Sequence, residues 1–348
     1  MFHIFFLLSS GLFLGWSLGA NDAANVFGTA VGTKMIRFRT AALIGSLFVV
    51  LGAVISGAGA TETLGKLGAV NALAGAFTVA LAAALTVLWM TRLRLPVSTS
   101  QAIVGAIIGW NLYAQLPTDY NSLTKIVSTW VLCPVLSAFF AFIFFFLFRF
   151  VVSRLRCSII RLDSYTRLGL ILVGAFGSYS LGANNIANVM GVFVPISPFS
   201  DSTYWIFSVT SAQKLFFLGG LAISAGIITY SRRVMETVGS NLFKLSPVAA
   251  LVVVLASSAV LFLFASESLE FWLQSRGLPS FPLVPVSSSQ AVVGAVIGIG
   301  LAKGGRNINF GVLGRISVGW VATPIAAGLS AYILLFFVQN LFLLPVYH

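Results

Sequence analysis

Residues 17–31 read SLGANDAANVFGTAV and residues 180–194 read SLGANNIANVMGVFV, identical at 10 of 15 positions. A second pair follows in the same order: PVSTSQAIVGAIIG at 96–109 and PVSSSQAVVGAVIG at 285–298, identical at 11 of 14. Chance likeness between apolar stretches would concentrate on Ala, Val and Leu, but these matches include Asn, Gln, Ser and Pro. The chain is therefore a duplication, and its fold must be one unit built twice.

Five hydrophobic segments fall in each half, at about 2–32, 40–58, 67–91, 96–112 and 126–148, then 168–194, 204–229, 246–265, 285–302 and 316–341. About 20 helical residues cross a hydrocarbon core of about 30 Å. Only 8% of residues are charged, 58% are hydrophobic and the mean hydropathy is +1.01, whereas a soluble domain carries roughly a quarter charged residues. A membrane-spanning chain must satisfy its own backbone as helices or a closed barrel. Runs such as Pro247–Phe264 and Ser137–Phe148 are apolar on every face, which excludes the alternating strands of a barrel. The expectation is an all-α polytopic membrane protein of two inverted-topology repeats, with about 10–12 membrane segments including broken or re-entrant helices.

An odd number of segments per half requires the second copy to enter the membrane upside down. Charge tests this independently. With the N-terminus outside, the loops expected inside hold Lys34, Arg37, Arg39, Arg92, Arg94, Arg149, Arg154, Arg156, Arg161, Arg167, Arg232, Arg233, Lys244, Lys303, Arg306 and Arg315. Lys66, Lys125 and Arg276 fall outside, and Lys214 within a segment. Sixteen against three is a positive-inside pattern. It gives a multi-pass protein of the plasma (inner) membrane with both termini outside, and lipid as its surroundings. It also explains the net charge of +12 without nucleic acid. The divisions are a first repeat at 1–149, a basic cytoplasmic linker at 150–166 and a second repeat at 167–348. The apolar run Ile4–Leu18 has a signal-peptide look but no preceding basic residue, and reads as a retained helix. Cys133 and Cys157 give neither a disulfide framework nor metal-ligand spacing.

Inverted repeats place a substrate site where broken helices of both halves meet. In the first motif, Asn21 and Asn25 share a helix face with Asp22 beside them, and the flanking glycines allow unwinding that frees carbonyls. Amide oxygens, carbonyls and one carboxylate suit a hard cation such as Na⁺. A Gly/Asn packing seam is the plainer account of one copy; two copies, one with an intramembrane acid, favour a site. The coupling-cation candidates are Asn21, Asp22, Asn25, Asn184, Asn185 and Asn188, with Na⁺ expected at Asp22, Asn25 and Asn188. In the second motif, Pro96 and Pro285 suit a first helical turn. The free N–H groups and hydroxyls that follow form an anion cradle. Its candidates are Ser98, Thr99, Ser100 and Gln101 with Ser287, Ser288, Ser289 and Gln290; simple helix capping is the plainer account. No cofactor is expected beyond a coupling ion.

Together, GANDAANVFGTAVG and PVSTSQAIVGAIIG, with GANNIANVMG and PVSSSQAVVGAVIG, resemble the paired signatures of the inorganic phosphate transporter (PiT) family. The resemblance covers nearly the whole chain. It implies a secondary active transporter that imports inorganic phosphate by symport with Na⁺ or H⁺, with sulfate or another oxyanion as the alternative cargo. It also implies a homodimer, anion binding between the Ser/Thr/Gln motifs, and coupling ions at the Asn/Asp motifs. Many members carry Asp in both copies, but Asn185 stands at the second position here, which removes one candidate carboxylate.

Rival readings are weaker. A membrane prenyltransferase needs several carboxylates to hold Mg²⁺ on a diphosphate, and this chain offers one, so no enzyme is expected. A channel or scaffold would show no coupled flux. Lys214 reads either as a snorkelling side chain or as a fixed charge replacing a cation that Asn185 no longer helps bind. Trp16, Trp110, Trp130, Trp205, Trp272 and Trp320 read as an interfacial aromatic belt, and the Phe residues of 139–150 as lipid-facing.

Overall fold

The computed structural model describes residues 2–68, 70–92, 97–154, 158–204, 207–237, 245–305 and 310–348. Arg94, Pro96, Arg156, Cys157, Trp205, Lys244 and Arg306 lie outside the described residues, as does the side chain of Arg315. In the first half the helices are α1 (Phe2–Gly32), α2 (Phe38–Ser56), α3 (Ala58–Leu67), α4 (Leu73–Arg92), α5 (Thr99–Ala114) and α6 (Tyr120–Arg154). The second half begins with α7 (Ile159–Met190), a 3₁₀ turn at Gly191–Phe193 and an antiparallel hairpin of β1 (Ser202–Tyr204) and β2 (Phe207–Val209). It continues with α8 (Ser211–Thr229), α9 (Ser231–Thr237), α10 (Pro247–Leu263), α11 (Glu267–Gln274), α12 (Ser288–Ala302) and α13 (Phe310–Asn340).

Among the described residues, six helices are long and apolar enough to cross a membrane, and α10 with α11 makes a seventh as a pair bent by 70°. The hydroxyl-rich motifs open α5 and α12, which have only 16 and 15 residues. These fall short of the about 20 residues of a full span and begin inside the protein, where Ser98 and Ser287 are buried. On α6, Phe139, Phe142, Phe146 and Phe150 are exposed, while Ile126, Thr129, Cys133, Ser137 and Ala141 form a buried stripe at helical spacing. That is the division expected of a helix with lipid on one side and protein on the other.

The repeats are interlocked rather than side by side. Helix α1 packs on α8 and its counterpart α7 on α2; α5 packs on α13 and α12 on α6. Glycine permits each approach at equivalent points. A Cβ on Gly19 would collide with the Ile223 backbone, and one on Gly182 with that of Val49. Gly226 and Gly52 meet the carbonyls of Trp16 and Tyr179 in the same exchanged way. Gly105 and Gly109 lie on the backbones of Pro324 and Gly328, while Gly294 and Gly298 lie on those of Pro134 and Ala138. Equivalent helices of the two halves thus exchange partners through matching glycine contacts. In lipid, where apolar burial between helices is weak, close packing of this kind holds the bundle together.

Three expectations are corrected. Ser202–Tyr204 and Phe207–Val209 pair as antiparallel strands, so α8 starts at Ser211 and Lys214 lies in its first turn. Its ammonium donates to Ser200 O at 2.7 Å and Ser202 Oγ at 2.6 Å. This local role explains the charge and removes it as a substitute cation. Trp110 is fully buried, its indole N–H donating to Val346 O at 2.9 Å, so it is a core residue and not part of a belt. Trp272 does sit at the surface, under the Arg276 guanidinium at 4.3 Å.

Crowding at the glycine seams predicts that Gly52→Ala and Gly226→Ala each cost about 1–3 kcal/mol. Gly65→Ala, whose new methyl meets nothing within 4 Å, should be neutral or stabilising by up to about 1 kcal/mol. Thermal unfolding of the monodisperse protein in detergent measures the difference.

Candidate functional site

The Asn residues lie in the C-terminal halves of α1 and α7; α1 runs unbroken through its motif to Gly32, and α7 holds Asn184, Asn185 and Asn188 in its last two turns before the 3₁₀ turn at Gly191–Phe193. The unwinding expected from their glycines does not occur. Gly19 and Gly182 serve close packing instead, and the backbone carbonyls stay within the helix. What the motifs present is side chains alone.

The hydroxyl motifs likewise start one step later than expected. Ser98 and Ser287 are N-caps, their Oγ atoms accepting from the N–H of Gln101 and Gln290, each at 3.3 Å. Pro285 thus lies before the helix rather than in its first turn, because Val286 is held in an extended segment. Asn184 grips Val286 on both sides, donating Nδ2 to its carbonyl at 2.7 Å and accepting its N–H on Oδ1 at 2.9 Å. Val284 N–H also donates to Phe264 O at 3.1 Å. The first-turn amides of α5 and α12 therefore face the bundle interior with only the third of each capped, a pattern suited to anions.

The two motif types meet across the repeats. Asp22 Oδ2 accepts from Ser288 Oγ at 2.6 Å, and that hydroxyl accepts from Asn25 Nδ2 at 3.3 Å. Asn21 Nδ2 donates to Asp22 Oδ1 at 3.1 Å. In the other half, Asn188 Nδ2 donates to Ser100 Oγ at 2.8 Å, and Ser100 donates to Val286 O at 3.1 Å. Its counterpart Ser289 donates to Val97 O at 3.2 Å. Ser287 and Ser289 share a hydrogen bond of 3.0 Å. The sequence-derived candidates from α1, α5, α7 and α12 thus converge on one buried polar core. The structure adds the main chain of Val97 and Val286, for which the only sequence signal was position between the repeated Pro and Ser. It also adds Cys133, whose Sγ lies 3.7 Å from Ser287 O.

The core is not symmetric. Asn185, the counterpart of Asp22, turns onto its own helix: Nδ2 donates to Leu181 O at 3.1 Å and Oδ1 accepts from Asn188 at 3.0 Å. No hydrogen bond joins it to Thr99, the counterpart of Ser288, among the described residues. Asp22, Asn25 and Asn188, the expected Na⁺ ligands, divide between two hydroxyls, Ser288 for the first pair and Ser100 for the last.

Two features define what this core can bind. Asp22 is the only charged residue buried among the described residues, and its bonded neighbours are amide and hydroxyl groups. The side-chain oxygens of Gln101, Gln290 and Asn188 are buried with no hydrogen-bond partner. Buried polar atoms are ordinarily paired, so three orphan acceptors around one core point to a ligand that carries donors or positive charge.

Residues 18–331 and 278–347 match the model of the phosphate transporter family. A provisionally named phosphate permease of Thermococcus kodakarensis is 28% identical, over 93% of this chain and 95% of its own length. The sulfate permease CysP of Bacillus subtilis is 29% identical, over 93% of this chain and 84% of its own. Among solved structures, one described as the sodium-dependent phosphate transporter superposes with a TM-score of 0.78 at 24% identity, covering 97% of this chain and 99% of that one.

The carboxylate contact yields a stability test. Ser288→Ala removes a donor from a buried charge and should cost about 1.5–3 kcal/mol. Thr99→Ala, at the counterpart position where no such bond exists, should cost about 1 kcal/mol or less. Paired thermal melts of the two variants against the wild type decide between them.

Proposed function

The chain belongs to the phosphate transporter family, and from that premise we propose that it is a secondary active transporter importing inorganic phosphate by symport with a cation, Na⁺ or H⁺. The observation that carries this reading is the buried carboxylate of Asp22, the one charged residue buried among the described residues, with no buried basic side chain among them. An oxyanion entering that core would add negative charge to negative charge in a poorly polarisable medium. At an effective dielectric of about 20, opposite unit charges roughly 4 Å apart attract by about 4 kcal/mol. A cation at Asp22 therefore offsets the repulsion between the carboxylate and the anion, and the linkage is reciprocal.

In this reading Ser98, Thr99, Ser100 and Gln101 with Ser287, Ser288, Ser289 and Gln290 cradle the anion. Asp22, Asn25, Asn184, Asn185 and Asn188 surround the coupling ion, and Asn21 holds the Asp22 carboxylate until that ion arrives. The cargo is moved unchanged, so chemistry is limited to desolvation and hydrogen bonding. The sodium dependence named for the structural neighbour supports Na⁺ as one candidate ion. The reading includes inverted repeats at 1–149 and 167–348 joined through 150–166. It also includes a homodimer in the plasma membrane with both termini outside and alternating access by relative movement of the two halves.

Sulfate is the second reading, favoured by the likeness to a sulfate permease. The orphan oxygens of Gln101, Gln290 and Asn188 argue for phosphate. Near neutral pH phosphate carries one or two protons and donates to such acceptors, whereas sulfate only accepts. A site with unpaired buried acceptors discriminates against the ligand that lacks the donor.

Radiolabelled uptake in proteoliposomes, with Na⁺ and pH gradients imposed separately, tests the reading. Phosphate should accumulate under one of the two gradients, and about a tenfold excess of sulfate should leave that uptake nearly unchanged. Asp22→Asn should lower driven uptake at least about tenfold in a protein that still elutes as a single species, since it removes the charge that the cation offsets. Full gradient-driven uptake in that variant refutes the role of Asp22.

A further inference from the structure

The two repeats hold their hydroxyl strands differently. In the second repeat, Asn184 closes on Val286 with two hydrogen bonds of 2.7 and 2.9 Å. In the first repeat the same pieces are present: Asn21 stands where Asn184 stands in the motif, and Val97 precedes the cap Ser98 as Val286 precedes Ser287. The strands themselves are placed alike, since Ser100 bonds the carbonyl of Val286 and Ser289 that of Val97. Yet Asn21 does not grip Val97. Its amide is drawn to Asp22 Oδ1, and the N–H of Val97, a buried residue, has no partner among the described residues.

The difference traces to one position. A carboxylate only accepts hydrogen bonds, so Asp22 gathers donors and takes both the Asn21 amide and the Ser288 hydroxyl. Asn185 carries its own donor, satisfies itself on Leu181 O and Asn188, and leaves Asn184 free to close. Asn25 follows the same pull, bonding Ser288 next to the carboxylate, while Asn188 bonds Ser100, the counterpart of Ser289.

We infer that Asn21 is a positioning residue, held open by the Asp22 carboxylate and released to clamp the Val97 main chain when a cation occupies Asp22. This rests on the symport reading and gives coupling a physical route. The cation takes over the negative charge, Asn21 turns, and residues 97–101 are fixed with their hydroxyls and amides aimed at the anion. Because Asn21 acts through Val97, cation loading tightens the anion cradle beyond the direct attraction of opposite charges, and anion loading favours cation binding by the same factor.

Hydrogen–deuterium exchange of the full chain in nanodiscs tests this, with peptides covering Val97 read against those covering Val286. In the wild type without Na⁺, Val97 should exchange faster than Val286. Asp22→Asn, which makes the first repeat resemble the second, should slow exchange at Val97 about tenfold, the worth of one buried hydrogen bond. That gain should vanish in the double variant with Asn21→Ala, while Val286 stays protected throughout. Unchanged exchange at Val97 in Asp22→Asn, or a gain that survives Asn21→Ala, overturns the clamp. NaCl titrated onto the wild type provides a second arm that needs no variant of Asp22 to fold. Slowing at Val97 with NaCl but not with KCl supports the clamp with Na⁺ as its trigger. Slowing in Asp22→Asn without any response to NaCl keeps the clamp and assigns the trigger to another cation. No slowing in either arm overturns it. Phosphate counterflow measured alongside separates the outcomes: a working clamp in a protein that carries no phosphate overturns the cargo and leaves the clamp intact.

Discussion

A single carboxylate buried among amides and hydroxyls organises this molecule. Burying an ionised group far from water is expensive unless something pairs with it, and no Lys or Arg is buried beside Asp22 among the described residues. Hydrogen bonds from Ser288 and Asn21 reduce the cost without cancelling the charge. The site is thus built incomplete, and in the symport proposed above its completion by a mobile cation would be the physical basis for coupling. A fixed lysine in the same place would bind anion well and would not need, or sense, an ion gradient.

The packing makes such a site affordable. Each half lends its Asn helix to a partner from the other half, through glycine contacts that repeat at equivalent positions on α1, α2, α7 and α8. The hydroxyl helices α5 and α12 are wedged against α13 and α6 in the same way. Being too short to span, they begin inside the bundle, where their first-turn amides keep unmet hydrogen-bonding capacity. Full-length spans would have placed those amides at the membrane surface, already satisfied by water. The shortness of α5 and α12 is therefore as much a functional feature as their serines.

Much of this was legible from residues. The duplicated Asn and Ser/Gln motifs named nearly every side chain of the polar core, because a polar residue repeated within apolar helices has few purposes other than meeting its copy. What sequence could not give was the use of the backbone. Glycines next to Asn21 suggested unwinding, but the same residue type permits helix contact, and only the presence of Ile223 against Gly19 distinguishes the two. Pro285 fitted a helical first turn until Asn184 was seen to hold Val286 extended. Hydropathy carried the segment at 204–229 across a hairpin and so buried Lys214, whose ammonium in fact serves the loop at Ser200 and Ser202. Trp110 carried the amphipathic signature of an interfacial residue, yet its N–H found a partner inside the fold at Val346.

The loss of symmetry at Asp22 and Asn185 carries the deepest consequence. Two identical halves would present two equal sites and two equal clamps, and nothing would order their filling. One carboxylate facing one amide gives the halves different resting arrangements from nearly the same parts. The half with Asn185 is closed on its own strand, with Asn184, Asn185 and Asn188 each donating to a partner. The half with Asp22 has its donors diverted to a charge. Energy for rearrangement is therefore available only in the first repeat, and only when that charge is offset. A second carboxylate at position 185 would divert the donors of the other half as well and double the negative charge to be neutralised. Under the proposed symport, then, the Asn found there would leave less negative charge for coupling ions to neutralise.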